Sequence, residues 1–114
     1  MTDRTATPDL ATATPLDLDA IERRLRAEFS RNEQQLVELE GVLTEMVRAH
    51  DTIQEDEDDM RRIVDAVRGD LHRARRALER LERGSYGRCL SCGSAIRSDR
   101  LEVIPTAEHC NACA

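Results

Sequence analysis

The chain has 114 residues, 39% apolar and 35% charged, with Phe29 and Tyr86 as its aromatic residues and a net charge of −6. So few large apolar side chains exclude a thick globular core, and a composition rich in Ala, Glu, Leu and Arg predicts long helices or coiled coil. The acidic balance argues against a general affinity for nucleic acid or anionic membranes, since both are bound through a basic excess.

Residues 1–16, rich in Thr, Ala and Pro, show no apolar period and read as a flexible tail. They contain no signal-peptide core, and no run of about 18 apolar residues occurs in the sequence, so a cytosolic address is expected. In a reducing compartment, four clustered cysteines favour metal ligation over disulfides.

A helix is expected to begin at "DLDAIERRL", with Asp19 as cap and Glu22 completing a capping box. Leu25, Phe29, Asn32, Leu36, Leu39, Leu43 and Met46 then follow alternating spacings of four and three, as do Met60, Val64, Val67, Leu71, Ala74, Leu78 and Leu81. These are two heptad seams. One continuous helix would put His50, Ile53 and Glu57 in consecutive seam positions, a weak stretch, whereas folding back lets each half bury the other's stripe. The pattern predicts an antiparallel hairpin over 17–84 with its tip near 49–56. Pairing Leu43 with Val64, Leu39 with Val67 and Leu36 with Leu71 buries the large seam residues and sets Asn32 opposite Ala74. Thr52 followed by Glu55 would cap the second helix.

Charge is distributed unevenly along this hairpin. Residues 51–59 hold six acids and no base, whereas residues 60–83 hold eight arginines against four acids. "RLERGSYG" closes the second helix, with Arg80 and Arg83 suited to its negative end and Gly84 to a left-handed stop.

The remaining segment, 85–114, is organised around Cys89, Cys92, Cys110 and Cys113. Two Cys-x2-Cys pairs separated by seventeen residues are a strong signal for a four-cysteine zinc site, each pair turning two thiolates toward one tetrahedral ion. A redox pair or disulfides are the other readings, and neither has a supporting context here. His109, beside Cys110, is a spare nitrogen donor that four cysteines leave without need. Four sulfurs close the coordination sphere, so one structural Zn2+ is expected. With few aliphatics in the segment, zinc is expected to supply most of the order. His50, His72 and His109 are dispersed and no nucleophile elbow or phosphate loop occurs, so no enzyme activity is expected.

The stretch "ALERLERGSYGRCLSCGSAIRSDRLEVIPTAEHCNACA" closely resembles the signature of the DksA/TraR family of bacterial RNA polymerase regulators: a helix end, Gly-x-Tyr-Gly-x-Cys-x2-Cys-Gly, an Ile, Arg-Leu, Pro-Thr-Ala and a final Cys-x2-Cys. The match covers about residues 77–114. The resemblance implies a mainly α protein, a long antiparallel coiled-coil hairpin with a small C-terminal zinc finger. It also implies a regulator of transcription initiation whose acidic hairpin tip enters the secondary channel of RNA polymerase without contacting DNA. The family's Asp-x2-Asp-x-Ala tip is replaced by "HDTIQEDEDD", which makes Asp51, Glu55 and Asp56 the candidate tip residues. The same acids also suit the positive end of the second helix. Arg73 and Arg100 are candidate alarmone or polymerase contacts, although Arg73 also reads as a solvated helix residue. Ile104 stands where a basic residue would help hold ppGpp, and no helix follows Cys113, so ppGpp dependence is not expected. The alternative is a zinc-stapled coiled-coil adaptor that binds another protein or itself. A DNA-binding finger is a further rival, disfavoured by the net charge.

Overall fold

The computed structural model describes residues 16–49 and 53–114. The first helix, α1, spans Leu18–Ala49. Its start is fixed by Asp17, whose Oδ1 accepts the Ala20 N–H at 3.1 Å and whose carbonyl accepts the Ile21 N–H at 3.0 Å. The cap therefore lies two residues earlier than the expected Asp19. An N-cap oxygen must reach the N–H three residues on, which Asp17 does, while Asp19 falls in the first turn and adds negative charge at the positive helix end.

The second helix, α2, spans Gln54–Arg83. The Ile53 carbonyl accepts the N–H groups of Asp56 and Glu57 at 3.1 and 3.3 Å, and Gln54 Nε2 donates to Asp58 Oδ1 at 3.0 Å. The expected cap at Thr52, the centre of the tip with Asp51, and the N-terminal tail through residue 15 lie outside the described residues. At its other end α2 closes in a Schellman turn: Ser85 N–H donates to Arg80 O at 2.9 Å and Gly84 N–H to Leu81 O at 3.2 Å. This turn requires the left-handed backbone that Gly84 adopts, at φ 76°.

Two compact units form. The first joins the described residues up to Leu25 with Ala77–Ala114, and the second is Arg26–Arg76. The second unit is an antiparallel helical hairpin whose seam is the one the heptads predict. Val64, Val67, Leu71 and Ala74 are buried, and Phe29, Asn32, Leu36, Leu39, Leu43, Met46 and Met60 are half-buried. Arg68 crosses to Glu40 at 2.6 Å, and the Arg75 guanidinium lies 5.6 Å from the centre of the Phe29 ring. Ion pairs three residues apart, such as Arg48–Glu45 at 3.1 Å, occupy the outer faces and contribute little each.

The first unit holds two apolar clusters. One contains Ile21, Leu25 and Ala77, with Leu78 and Leu81 beside them. The other contains Cys89, Ile96, Leu101 and Ala107, with Cys110 beside them. Leu16 and Tyr86 pack against both, so the two clusters form one continuous core. A third helix, α3, covers Ser98–Val103. The sequence pattern does not announce it, because it is shorter than two turns and buries only Leu101. Among the described residues there is no strand, only an isolated antiparallel bridge between Arg88 and Ala95.

Candidate metal centre

Each half of the centre is a tight turn that presents two sulfurs. In the first, Gly93 N–H donates to Cys89 O at 2.9 Å, Cys89 N–H to Ser94 O at 2.8 Å and Ile96 N–H to Gly87 O at 2.7 Å. Gly87 has φ 85°, and a Cβ there would stand 3.4 Å from the Leu101 methyl, so glycine satisfies both the turn and the core beneath it. In the second half, Cys113 N–H and Ala114 N–H both donate to Cys110 O, at 3.0 and 2.9 Å. The halves are tied by Leu90 N–H donating to Glu108 O at 2.8 Å.

The arrangement brings the four expected ligands together: the sulfurs of Cys89, Cys92, Cys110 and Cys113 all lie within 4.8 Å of one another. Cys92 Sγ and Cys110 Sγ are 3.7 Å apart. A tetrahedral ion with Zn–S bonds of about 2.3 Å demands sulfurs about 3.8 Å apart, so the donor set fits zinc. Four thiolates complete the coordination sphere, and the ion has a structural task.

The electrostatics point the same way. Backbone N–H groups of Cys110, then of Cys92 and Ser91, together with His109, hold the Cys89 thiol down to about 5, against the cost of burial. Cys113 is pushed up to about 12 by the neighbouring sulfurs of Cys110, Cys89 and Cys92. The cluster therefore favours the thiolate at Cys89 and, through hydrogen bonds from Ser94, at Cys92, but resists it at Cys113. A divalent ion removes that conflict. His109 keeps its ring outside the sulfur set, with Nδ1 3.2 Å from Ser91 Oγ.

Around this centre lie contacts that residue patterns do not reveal. Arg80, expected as a surface charge at a helix end, is 7% exposed; its Nη1 meets Glu108 Oε2 at 3.4 Å and its Nη2 donates to Ala107 O at 3.4 Å. The Tyr86 hydroxyl donates to Pro105 O at 2.7 Å. Arg24 Nη1 donates to Glu102 O at 2.5 Å. Apart from the Glu108 carboxylate, the acceptors are backbone carbonyls, which carry no residue signature.

The other candidate residues are placed as follows. Glu55 and Asp56 are exposed in the first turn of α2. Arg73, in the hairpin unit, is paired with Asp70. Arg100, in the finger-bearing unit, is half-buried, and its Nε is without a hydrogen-bond partner among the described residues. It lines an open groove of about 330 Å3 with Arg97, Val103 and Asn111.

Residues 84–114 match the model of the prokaryotic dksA/traR C4-type zinc finger. The structure of transcription factor DksA2 from Pseudomonas aeruginosa is similar to this one, with a TM-score of 0.73 and 27% identity, over 83% of this chain and 78% of that one. The finger of this chain is thus of the DksA/TraR type. An uncharacterized protein of Aquifex aeolicus (strain VF5) is 47% identical over 38 residues. Those residues make up 33% of this chain and about a quarter (26%) of the length of that relative. The C4 finger, with its four sulfurs close together, is the site of one structural Zn2+.

Proposed function

We propose that the protein regulates transcription initiation by binding RNA polymerase and inserting the acidic end of its hairpin into the secondary channel. The observation that carries this reading is the similarity to transcription factor DksA2 over 83% of the chain, joined to a finger of the same family. The charge pattern supports it: Glu55, Asp56, Glu57, Asp58 and Asp59 follow the turn, and α1 and α2 bring them to one end of the hairpin unit. Carboxylates delivered near the polymerase's catalytic metal act by charge and position, so the protein needs no chemistry of its own.

In this reading Asp51, Glu55 and Asp56 modulate the polymerase, and Arg73 and Arg100 make secondary contacts with it. The zinc finger is a rigid base, the protein works in the cytosol, and neither DNA nor ppGpp is bound directly. The test is the lifetime of open complexes at a ribosomal RNA promoter with wild-type protein beside Asp51→Asn, Glu55→Gln. Loss of the lifetime effect with binding retained supports the reading. Absence of polymerase binding by the wild type would replace it with the adaptor alternative.

A further inference from the structure

Beyond Val103 the chain has no helix or strand of its own as far as Cys110, yet from the last turn of α3 onward its carbonyl oxygens are taken up in succession by side chains from other parts of the same unit. Arg24, on α1, donates through Nη1 to Glu102 O at 2.5 Å and through Nη2 to Val103 O at 3.4 Å. Tyr86 donates to Pro105 O at 2.7 Å. Arg80, on α2, donates to Ala107 O at 3.4 Å and meets the Glu108 carboxylate at 3.4 Å. None of these donors lies between the paired cysteines.

Apolar packing follows the same line. Leu101 is fully buried and Ile96 and Ala107 nearly so, while Leu16 and Tyr86 join this cluster to the one around Leu25 and Ala77. A buried guanidinium is costly unless it is paired, so the place Arg80 occupies is stable only with residues 107 and 108 in position. By contrast, the bonds that shape the metal-binding turns are mostly local to them, and Cys92 and Cys113 are exposed.

We infer that Arg24, Arg80 and Tyr86 are positioning residues for the metal centre. They dock residues 102–108 onto the ends of the long helices in the absence of metal, so that Cys110 is already presented when the ion arrives. Zinc then orders the two turns, 87–95 and 109–114. The inference rests on the C4 site and is independent of any partner.

The experiment is hydrogen exchange read by mass spectrometry on the full chain, zinc-loaded and after chelation. The amides of Leu101, Ile104 and Ala107, bonded to Arg97 O, Arg100 O and Ile104 O, report the docked segment; those of Gly93 and Cys113 report the turns. Chelation of the wild type is expected to abolish protection at Gly93 and Cys113 and to leave it at Leu101 and Ala107. Loss at all of these together would overturn the inference, whatever the variants do. In the second arm, Arg24→Met with Tyr86→Phe is expected to lose protection at Leu101 and Ala107 only when zinc is removed. Its zinc affinity, from competition with a chromophoric chelator, should fall at least about tenfold, because the metal must now order the segment as well. Unchanged affinity and unchanged metal-free protection in that variant would also overturn the inference.

Discussion

Leu25 on α1 and Ala77 on α2 pack in one cluster with no solvent exposure on either. The small side chain at 77 is what lets the larger one fill the space between the helices. Leu25→Ala should lower stability by about 3 kcal/mol, the transfer term plus a cavity that two helices cannot close. Ala77→Leu should cost about 1–3 kcal/mol through overpacking. Urea unfolding of the zinc-loaded protein measures both, and an effect below about 1 kcal/mol for Leu25→Ala would contradict the packing described.

A polar contact between the helices should matter far less. Glu40 and Arg68 meet at 2.6 Å, but their side chains are 45% and 43% exposed. Water and salt screen such a pair, so Glu40→Gln should change stability by less than about 1 kcal/mol, and less again in high salt.

Tyr86 combines burial with a hydrogen bond, and its removal has a pH signature. Tyr86→Phe leaves the Pro105 carbonyl without its donor and should cost about 1 kcal/mol at neutral pH. Burial pushes the Tyr86 hydroxyl up to about 12 from 10.0, with Arg80 and then Arg24 pulling weakly the other way. A folded-state value above the unfolded one means that the neutral phenol stabilises the fold. That contribution is complete below about pH 10 and is lost as pH rises through about 12. The wild type should therefore lose its advantage over Tyr86→Phe across that interval. Parallel stability curves from pH 9 to pH 12 would contradict the assignment.

Cysteine substitution and metal removal test the C4 centre. Cys113→Ser or Cys92→Ser should lower zinc content from one equivalent toward none after dialysis against a weak chelator. The helical signal of Arg26–Arg76 should persist in circular dichroism. Because thiolates are the ligands, zinc retention must weaken on acidification as protons compete. In the metal-free protein Cys89, held down to about 5 from 9.0, contributes stability that is present above about pH 9 and lost as pH falls through about 5. Release of zinc that did not depend on pH would contradict thiolate ligation.

How much of the fold and of the metal centre is legible in the sequence depends on the range of the interaction. The seam from Leu25 through Leu43 and from Met60 through Leu71 follows from local periodicity, and the two Cys-x2-Cys pairs follow from spacing alone. Ile21 and Ala77 were missed: the seam runs one turn further on α1 than its first leucine suggests, and a small residue gives no hydrophobic signal. Two aspartates compete in "DLDA", and the sequence alone favours Asp19 over Asp17, the one that caps. Least legible were Arg24, Arg80 and Tyr86. Arg24 and Glu102 are 78 residues apart in the chain, and a contact between an arginine and a remote carbonyl leaves no pattern in the sequence. For the same reason the sequence points to zinc alone as the source of order in residues 85–114, and gives no sign of the apolar cluster around Leu101 or of the contacts from Arg24, Arg80 and Tyr86.

The proposed mode of action requires the hairpin's turn to reach into RNA polymerase. Ile53 stands at the start of α2 with 63% of its surface exposed, beside the acids and off the seam, so a photo-crosslinking amino acid there reports what the turn touches. Irradiation with purified polymerase core should give a crosslink inside the secondary channel. Binding with crosslinks only to the outer surface, to promoter DNA or to a second copy of the chain would contradict the account.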